Sequence, residues 1–166
     1  MKIKKEYLAL IVVIAALAAY LVFHQTDRTH YKMPEMADLA DTKITRIAIE
    51  KPNQTVEIRK KADQWVVGAE KYRGETEKIE PMTEIIKNLQ LTALVSESQN
   101  YHPYDLDAEN RIIVKAWAGS EQIRTIIVGK PAPSYRHTFV KLPDDHRVFH
   151  AEKNIRKKFD KTVDML

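Results

Sequence analysis

The sequence contains no cysteine. Disulfide bridges, thiolate metal sites, cysteine nucleophiles and acylated-cysteine anchors are therefore excluded. Glycine and proline are scarce as well, with 4 and 7 residues, which argues against a fibrous or low-complexity architecture. Any domain in this chain must be held together by its apolar core, and the chain is long enough to form one.

The sequence also lacks the concentrated basic charge of a nucleic-acid-binding protein. The net charge is +4, and the first six residues contribute +2 of it through Lys2, Lys4 and Lys5 against Glu6. The remaining residues therefore carry 4 − 2 = +2. This charge distribution is no argument for a nucleic-acid partner, and we expect none.

A single long stretch, Leu8 to Phe23, is apolar and free of charged residues. As a helix it would rise about 24 Å, slightly short of a bilayer core of about 30 Å. Together with the basic residues before it, this stretch favours an uncleaved transmembrane signal anchor. A secretory signal cut near Ala16-Leu17-Ala18 and a buried helix are the alternatives. The positive-inside rule would leave the N-terminus in the cytoplasm and the C-terminal part outside.

The chain after this stretch predicts a short tether and one domain. We expect residues 1–6 to be a cytoplasmic basic head, 7–24 the transmembrane anchor, 25–41 a polar tether and 42–166 an extracytoplasmic domain. In that domain, alternating apolar residues predict strands, with Trp65 in the core, and a helical apolar stripe follows. The predicted strands cover 43–49, 55–59 and 65–67, and the predicted amphipathic helix covers 77–89.

The second half of the domain predicts two β-hairpins and a short final helix. The hairpins pair 112–117 with 123–128 and 138–142 with 147–150, and the helix lies within 154–165. The predicted fold class is α+β. It comprises an N-terminal single transmembrane helix and one mainly antiparallel-sheet domain with one packed amphipathic helix and a short C-terminal helix.

Catalytic constellations are absent from the sequence pattern. Carboxylates are scattered, no serine has a nucleophile-elbow context, and no glycine-rich phosphate loop is present. We therefore predict a non-enzymatic protein without a cofactor. A metal-dependent hydrolase is an alternative, with a metal site formed by His137, Asp145, His146 and His150, although surface residues of a hairpin are the simpler interpretation.

Two loop-like segments hold the densest aromatic and cationic content outside the predicted core. Loops carry binding function more often than strands do. We expect any partner or ligand surface to lie there. The candidate residues are Tyr101, His102, Tyr104, Tyr135, Arg136 and His137.

The C-terminal helix has a basic side that is most simply a solvated helix face. Contact with acidic lipid headgroups or with an acidic partner is the alternative. The cations concerned are Lys153, Arg156, Lys157, Lys158 and Lys161.

Six short segments of the predicted domain carry a resemblance to a known family: Asp63-Gln64-Trp65, Met82 to Leu89, Tyr104-Asp105-Leu106-Asp107, Val128-Gly129, Phe139-Val140 and Val148-Phe149. Their order resembles the bacterial family catalogued as domain of unknown function 4340. The resemblance extends from Ile44 to the end, and it departs from the family pattern where Asp105 replaces a usual glycine.

This resemblance implies a location and a partner. Members have an N-terminal membrane segment and look like companions of gliding-motility-type ABC transport systems, and the family defines no catalytic residue. We therefore expect a single-pass accessory protein of the bacterial inner membrane, attached through Leu8 to Phe23 and associated with a membrane protein complex of ABC-transport type. The alternative is an extracytoplasmic ligand-binding module for a small molecule or an envelope polymer.

Overall fold

The computed structural model describes residues 5–23, 31–69 and 72–166. It divides into two compact units, 1–32 and 33–166. The first contains helix α1 (Lys5–Phe23), whose side chains from 10 to 20 are exposed.

The predicted transmembrane helix is wrong. Among the described residues, no helix combines the length and the apolar character needed to cross a membrane. The physical reason lies in the length of the charge-free stretch, because Leu8 to Phe23 rises only about 24 Å against about 30 Å of hydrocarbon.

The second unit is mostly one nine-stranded antiparallel sheet with few helices. The strand order is β4-β3-β2-β1-β6-β7-β8-β9-β5, and every neighbouring pair is antiparallel. The strands are β1 (Arg46–Lys51), β2 (Gln54–Lys61), β3 (Gln64–Val67), β4 (Tyr72–Arg73), β5 (Leu91–Ser96), β6 (Ile112–Ala118), β7 (Glu121–Pro131), β8 (His137–Lys141) and β9 (Val148–Glu152). The helices are α2 (Thr76–Lys87) and α3 (Arg156–Phe159), with 3-10 turns at His102–Tyr104 and Val163–Met165.

The predicted α+β class is therefore wrong as well. The two predicted hairpins are present as β6–β7 and β8–β9. The pairing of β1 with β6 and of β9 with β5 unites all strands in one sheet, and local sequence patterns carry no signal for such long-range pairs. The predicted final helix is shorter than expected: α3 has four residues, and a 3-10 turn follows it.

The apolar core lies on one face of the sheet, which we call the inner face. Helix α2 covers it with Ile79, Met82 and Ile86, which recur at helical spacing and are at most 1 % exposed. Phe159 of α3 is also buried in this core. Trp65 is 4 % exposed, which confirms its predicted place in the core.

A buried arginine fastens α2 to the sheet. The Arg124 guanidinium on β7 donates to the carbonyl oxygens of Ile86 and Lys87, the latter at 3.0 Å, and to that of Ala37. The last carbonyl groups of a helix have no partner within the helix, so a cation placed there satisfies them and complements the helix dipole. Arg124 thus binds two separate chain segments to one strand.

The opposite, outer face has two dissimilar halves. On the open half, formed by β1, β2 and β6, charged side chains pair across strands, as in Lys115 Nζ to Glu50 Oε1 at 2.6 Å. There the Arg46 guanidinium lies 3.8 Å from the ring centre of Trp117. On the covered half, formed by β7, β8 and β9, the segment 101–107 packs over apolar strand residues.

Candidate functional site

The segment 101–107 places two predicted site residues on the covered half. Its 3-10 turn presents Tyr101 and Tyr104 to a cluster that contains Leu106 and Phe139. The Tyr101 hydroxyl donates to the His146 carbonyl oxygen at 3.1 Å. Both tyrosines are half-buried, so they serve mainly to hold the segment on the sheet.

The backbone conformation of this segment explains why Asp105 can stand where the family pattern has glycine. Asp105 has a φ of 54°, in the left-handed region that glycine adopts most readily and that Asp tolerates better than most other residues. The Asp107 carboxylate then accepts from the backbone N–H groups of Glu109 and Asn110 at 3.0 and 3.1 Å. Asp can therefore stand at position 105 without a change of fold, and the turn after it is held by its own hydrogen bonds.

Four rings connect the two predicted loops across the covered half. Ring centres are separated by 4.9 Å between Tyr104 and Phe139, 5.0 Å between Phe139 and His150, and 5.3 Å between His150 and His137. We call these four residues the aromatic row. The separations lie in the range of aromatic pairs that attract each other. The row brings Tyr104 and His137 into one continuous surface.

The two histidines of the row face each other in a stacked arrangement, with 22° between ring planes. Burial lowers the pKa of His150, and the charge of His137 lowers it further. Nε2 of His150 is buried and has no hydrogen-bond partner. The lowered pKa favours the neutral form of His150 beside the apolar ring of Phe139.

The remaining predicted residues flank the row and are exposed. His102 has a side chain that is 84 % exposed and lies 3.3 Å from the Asp107 carboxylate. Tyr135 is 76 % exposed, with a φ of 55°, and Arg136 beside it is exposed too. A large aromatic side chain in the left-handed region is uncommon, which distinguishes Tyr135 from an ordinary turn residue.

Two residues of the row, Phe139 and His150, were absent from the predicted surface. The sequence predicts Phe139 as a strand residue, and it predicts His150 as a strand residue and as a ligand of the alternative metal site. The signal that could have found them is strand alternation, because His137 and Phe139 point to the same face of β8 and His150 lies opposite Phe139 on β9.

The alternative metal site is not assembled. Asp145 pairs with Arg147 at 2.6 Å, and His146 is exposed. In the part of the chain that the structure describes, no group of three or more His, Cys, Asp or Glu residues could hold a metal ion.

Ser134 and His137 lie close to each other at one end of the row. The Ser134 hydroxyl oxygen lies 3.5 Å from Nδ1 of His137, outside the range of about 2.6–3.2 Å for a working nucleophile and base. Phe139, which is 7 % exposed, fills the space between the two loops. The site is therefore an aromatic surface with the buried Phe139 at its centre. Three exposed side chains, His102, Tyr135 and Arg136, lie at its edge.

Comparison with known proteins places this site within a family. A family model described as "Domain of unknown function (DUF4340)" matches residues 65–166, which is more than half of the chain. The chain belongs to the DUF4340 family. This confirms the predicted family, although the matched region begins at Trp65 and not at Ile44. The DUF4340 region contains the entire aromatic row. No curated protein and no solved structure matches the chain.

Proposed function

We propose that this DUF4340 domain is a non-enzymatic interaction module that serves as an accessory component of an ABC-type transport system. The observation that supports it is the aromatic row with its exposed flank of His102, Tyr135 and Arg136. Tyrosine and arginine are enriched among the few residues that contribute most of the binding energy of protein interfaces. The nature of the partner rests on what the family resemblance implies.

The packing beneath the flank supports binding by a prearranged surface. Tyr135 belongs to a turn in which its backbone N–H donates to the Ala132 carbonyl oxygen at 2.8 Å, and Ala132 itself is buried. A side chain presented by a fixed turn loses less conformational freedom on binding than one on a loose loop. The location beside a bacterial inner membrane remains part of the prediction.

The chain offers a matched control for the test. Tyr135 and Arg136 form an exposed Tyr-Arg pair in the flank, and Tyr72 and Arg73 form a second exposed pair on β4. We propose co-purification from native membranes in mild detergent for the wild type and for both double alanine variants. Tyr135→Ala with Arg136→Ala should release the transporter subunits, and Tyr72→Ala with Arg73→Ala should retain them.

The outcome is read by mass spectrometry of the co-purified proteins. Recovery of the wild type as a lone monomer would count against the accessory role. Equal loss of partners in both double variants would count against the aromatic row as the contact surface. Thermal unfolding followed by circular dichroism controls for folding of each variant.

A second candidate function, a ligand-binding module, is favoured by a cleft of about 480 Å³ beside Trp65. The cleft lies between α2 and the β2–β3 turn, and Lys60, Asp63 and Glu84 contribute charges of both signs to its lining. This volume is within the range of small-molecule sites, about 300–1,000 Å³.

The fluorescence of Trp65 tests this second function. The chain has two tryptophans, so Trp117→Phe leaves Trp65 as the single reporter. Titration with soluble peptidoglycan fragments should give a saturable change in emission if the cleft binds envelope polymer. An unchanged spectrum across the titration would contradict binding of that polymer in the cleft.

A further inference from the structure

A further surface lies beside α3, and its residue composition differs from that of the aromatic row. It is a groove of about 400 Å³ whose lining combines an apolar wall with a cationic rim. Met165 is 49 % exposed at this wall. We call it the basic groove, and it is lined by Pro131, Asn154, Arg156, Lys157, Asp160, Lys161 and Met165.

The chain segment that contributes most of the groove lining is strongly basic. Residues 153–161 contain five lysine or arginine residues and one aspartate, a net charge of +4. That value equals the net charge of the entire chain, so all other residues together are neutral. Clustered charge of one sign on an otherwise balanced protein creates a local potential that attracts opposite charge.

The single carboxylate of this segment is already engaged. Asp160 accepts from Lys51 Nζ at 2.7 Å, and this hydrogen bond, with the charges of Lys51, Arg156 and Lys161, lowers the pKa of Asp160. Arg156 is also engaged, because its Nη2 donates to the Asn110 carbonyl oxygen at 2.8 Å.

Lys157 and Lys161 are the groove cations whose charges can pair with a bound partner. In the described part of the chain, neither forms an ion pair within 4.0 Å. Two cations beside the apolar Pro131 and Met165 match a ligand that alternates acidic and apolar groups. A flat membrane surface would meet the exposed rim and leave the groove empty.

We propose that the basic groove binds an extended acidic segment of a partner protein, with carboxylates at Lys157 and Lys161 and an apolar side chain against Met165 and Pro131. None of these residues belongs to the aromatic row or its flank. The groove is therefore a second contact, and it goes beyond the proposed function of the row. Such a segment would be recognised by charge and would dissociate as salt rises, since exposed charge pairs are screened.

Fluorescence anisotropy of the full chain in mild detergent tests this proposal. The probe is a fluorescein-labelled decapeptide of alternating glutamate and leucine, and the comparison peptide has glutamine in place of glutamate. The test variant is Lys157→Gln with Lys161→Gln, which leaves the structural contacts of Arg156 intact. The matched control is Lys43→Gln with Lys61→Gln, two exposed lysines outside the groove.

The acidic peptide should bind the wild type and the control equally and the test variant about fivefold more weakly, as expected for two exposed charge pairs. Equal affinity for the glutamine peptide, or equal weakening in the test and control variants, would overturn the proposal. So would binding to vesicles of phosphatidylcholine and phosphatidylglycerol that depends on Lys157 and Lys161 while the acidic peptide fails to bind. The Tyr135→Ala and Arg136→Ala changes should leave peptide binding intact, which separates this proposal from the function of the aromatic row.

Discussion

The two halves of the outer face follow the same strand alternation and yet carry different chemistry. On the open half, charged side chains at alternate positions pair across strands, as Glu57 of β2 does with Arg46 of β1 at 3.8 Å. On the covered half, the equivalent positions hold Phe139 and His150, which lie beneath or beside the segment 101–107. The difference follows from chain connectivity, because the β5–β6 connection is long enough to fold back over the sheet, whereas the β1–β2 and β2–β3 connections are turns of two residues.

The two halves differ in what they contribute to stability. Exposed ion pairs contribute little to stability because water and salt screen them. Buried aromatic packing contributes more, and it also positions the turn that carries Tyr135. The covered half should therefore account for most of the stability that the outer face provides, and it holds the candidate contact surface.

The largest expected loss of stability follows removal of Phe139 on the covered half, and Trp117 on the open half is the aromatic residue to compare it with. Phe139→Ala should lower the free energy of unfolding by about 3–5 kcal/mol, because it empties a buried ring position in the covered half. Trp117→Ala on the open half should cost less than half as much, since that ring is partly exposed. Urea unfolding followed by circular dichroism measures both, and a larger loss for Trp117→Ala would reverse the comparison.

A smaller effect is expected where the covering segment approaches the sheet most closely. A Cβ added at Gly129 would lie 2.1 Å from the Tyr104 backbone oxygen, so Gly129→Ala must displace the segment. We expect a loss of about 1–3 kcal/mol.

Gly74→Ala is the control for this prediction. There the added Cβ meets side-chain atoms, Ile79 Cδ1 at 2.6 Å and Val67 Cγ2 at 2.9 Å, which can shift more easily than backbone. The melting temperature should fall further for Gly129→Ala. The reverse order would show that the segment 101–107 moves freely.

The pH dependence of stability should report on His150. Its folded pKa is lowered by burial and by His137, whereas in the unfolded chain it returns to about 6.5. The unfolded state therefore takes up a proton first. The stability that the buried, neutral His150 contributes is fully present above about pH 6.5. It declines as the pH falls from there towards the folded pKa. Urea unfolding at a series of pH values should show the decline.

The variant His150→Phe keeps a ring in the row and removes the titration. Its stability should fall less steeply below about pH 6.5 than that of the wild type. His146→Gln, at an exposed histidine, should leave the wild-type slope unchanged. Identical slopes for His150→Phe and the wild type would remove His150 from the explanation.

The smallest effect is expected on the open half. Glu57→Gln weakens contacts to Arg59 at 2.8 Å and to Arg46 at 3.8 Å, and we expect a loss below about 1 kcal/mol. The difference from the wild type should shrink further in high salt. A loss as large as that of Phe139→Ala would mean that the open half is not an ordinary solvated surface.

Local patterns in the sequence predict much of the fold and little of the site. The apolar stripe of α2 and the alternation in β6 and β7 are properties of neighbouring residues, so helix and hairpin follow from them. The contact between Tyr104 and Phe139 depends on where the segment 101–107 crosses the sheet. That crossing depends on the close approach at Gly129, which no local pattern encodes.

The same distinction explains the wrong fold class. Each strand has a recognisable pattern, but the union of β1 with β6 joins residues such as Glu50 and Lys115, which are 65 positions apart. Alternation specifies which side chains share a face and leaves open which strand is the neighbour.

The β1–β6 junction also has a consequence for folding kinetics. On one side of it, β1 to β4 are connected in sequence by successive hairpins, and on the other side so are β6 to β9. Local hairpins form with little loss of chain entropy, whereas the junction must close a loop of some 65 residues. The rate-limiting step should therefore be the docking of two preformed meanders along β1 and β6. Substitutions at that seam should slow refolding, and substitutions in the outer hairpins should mainly accelerate unfolding.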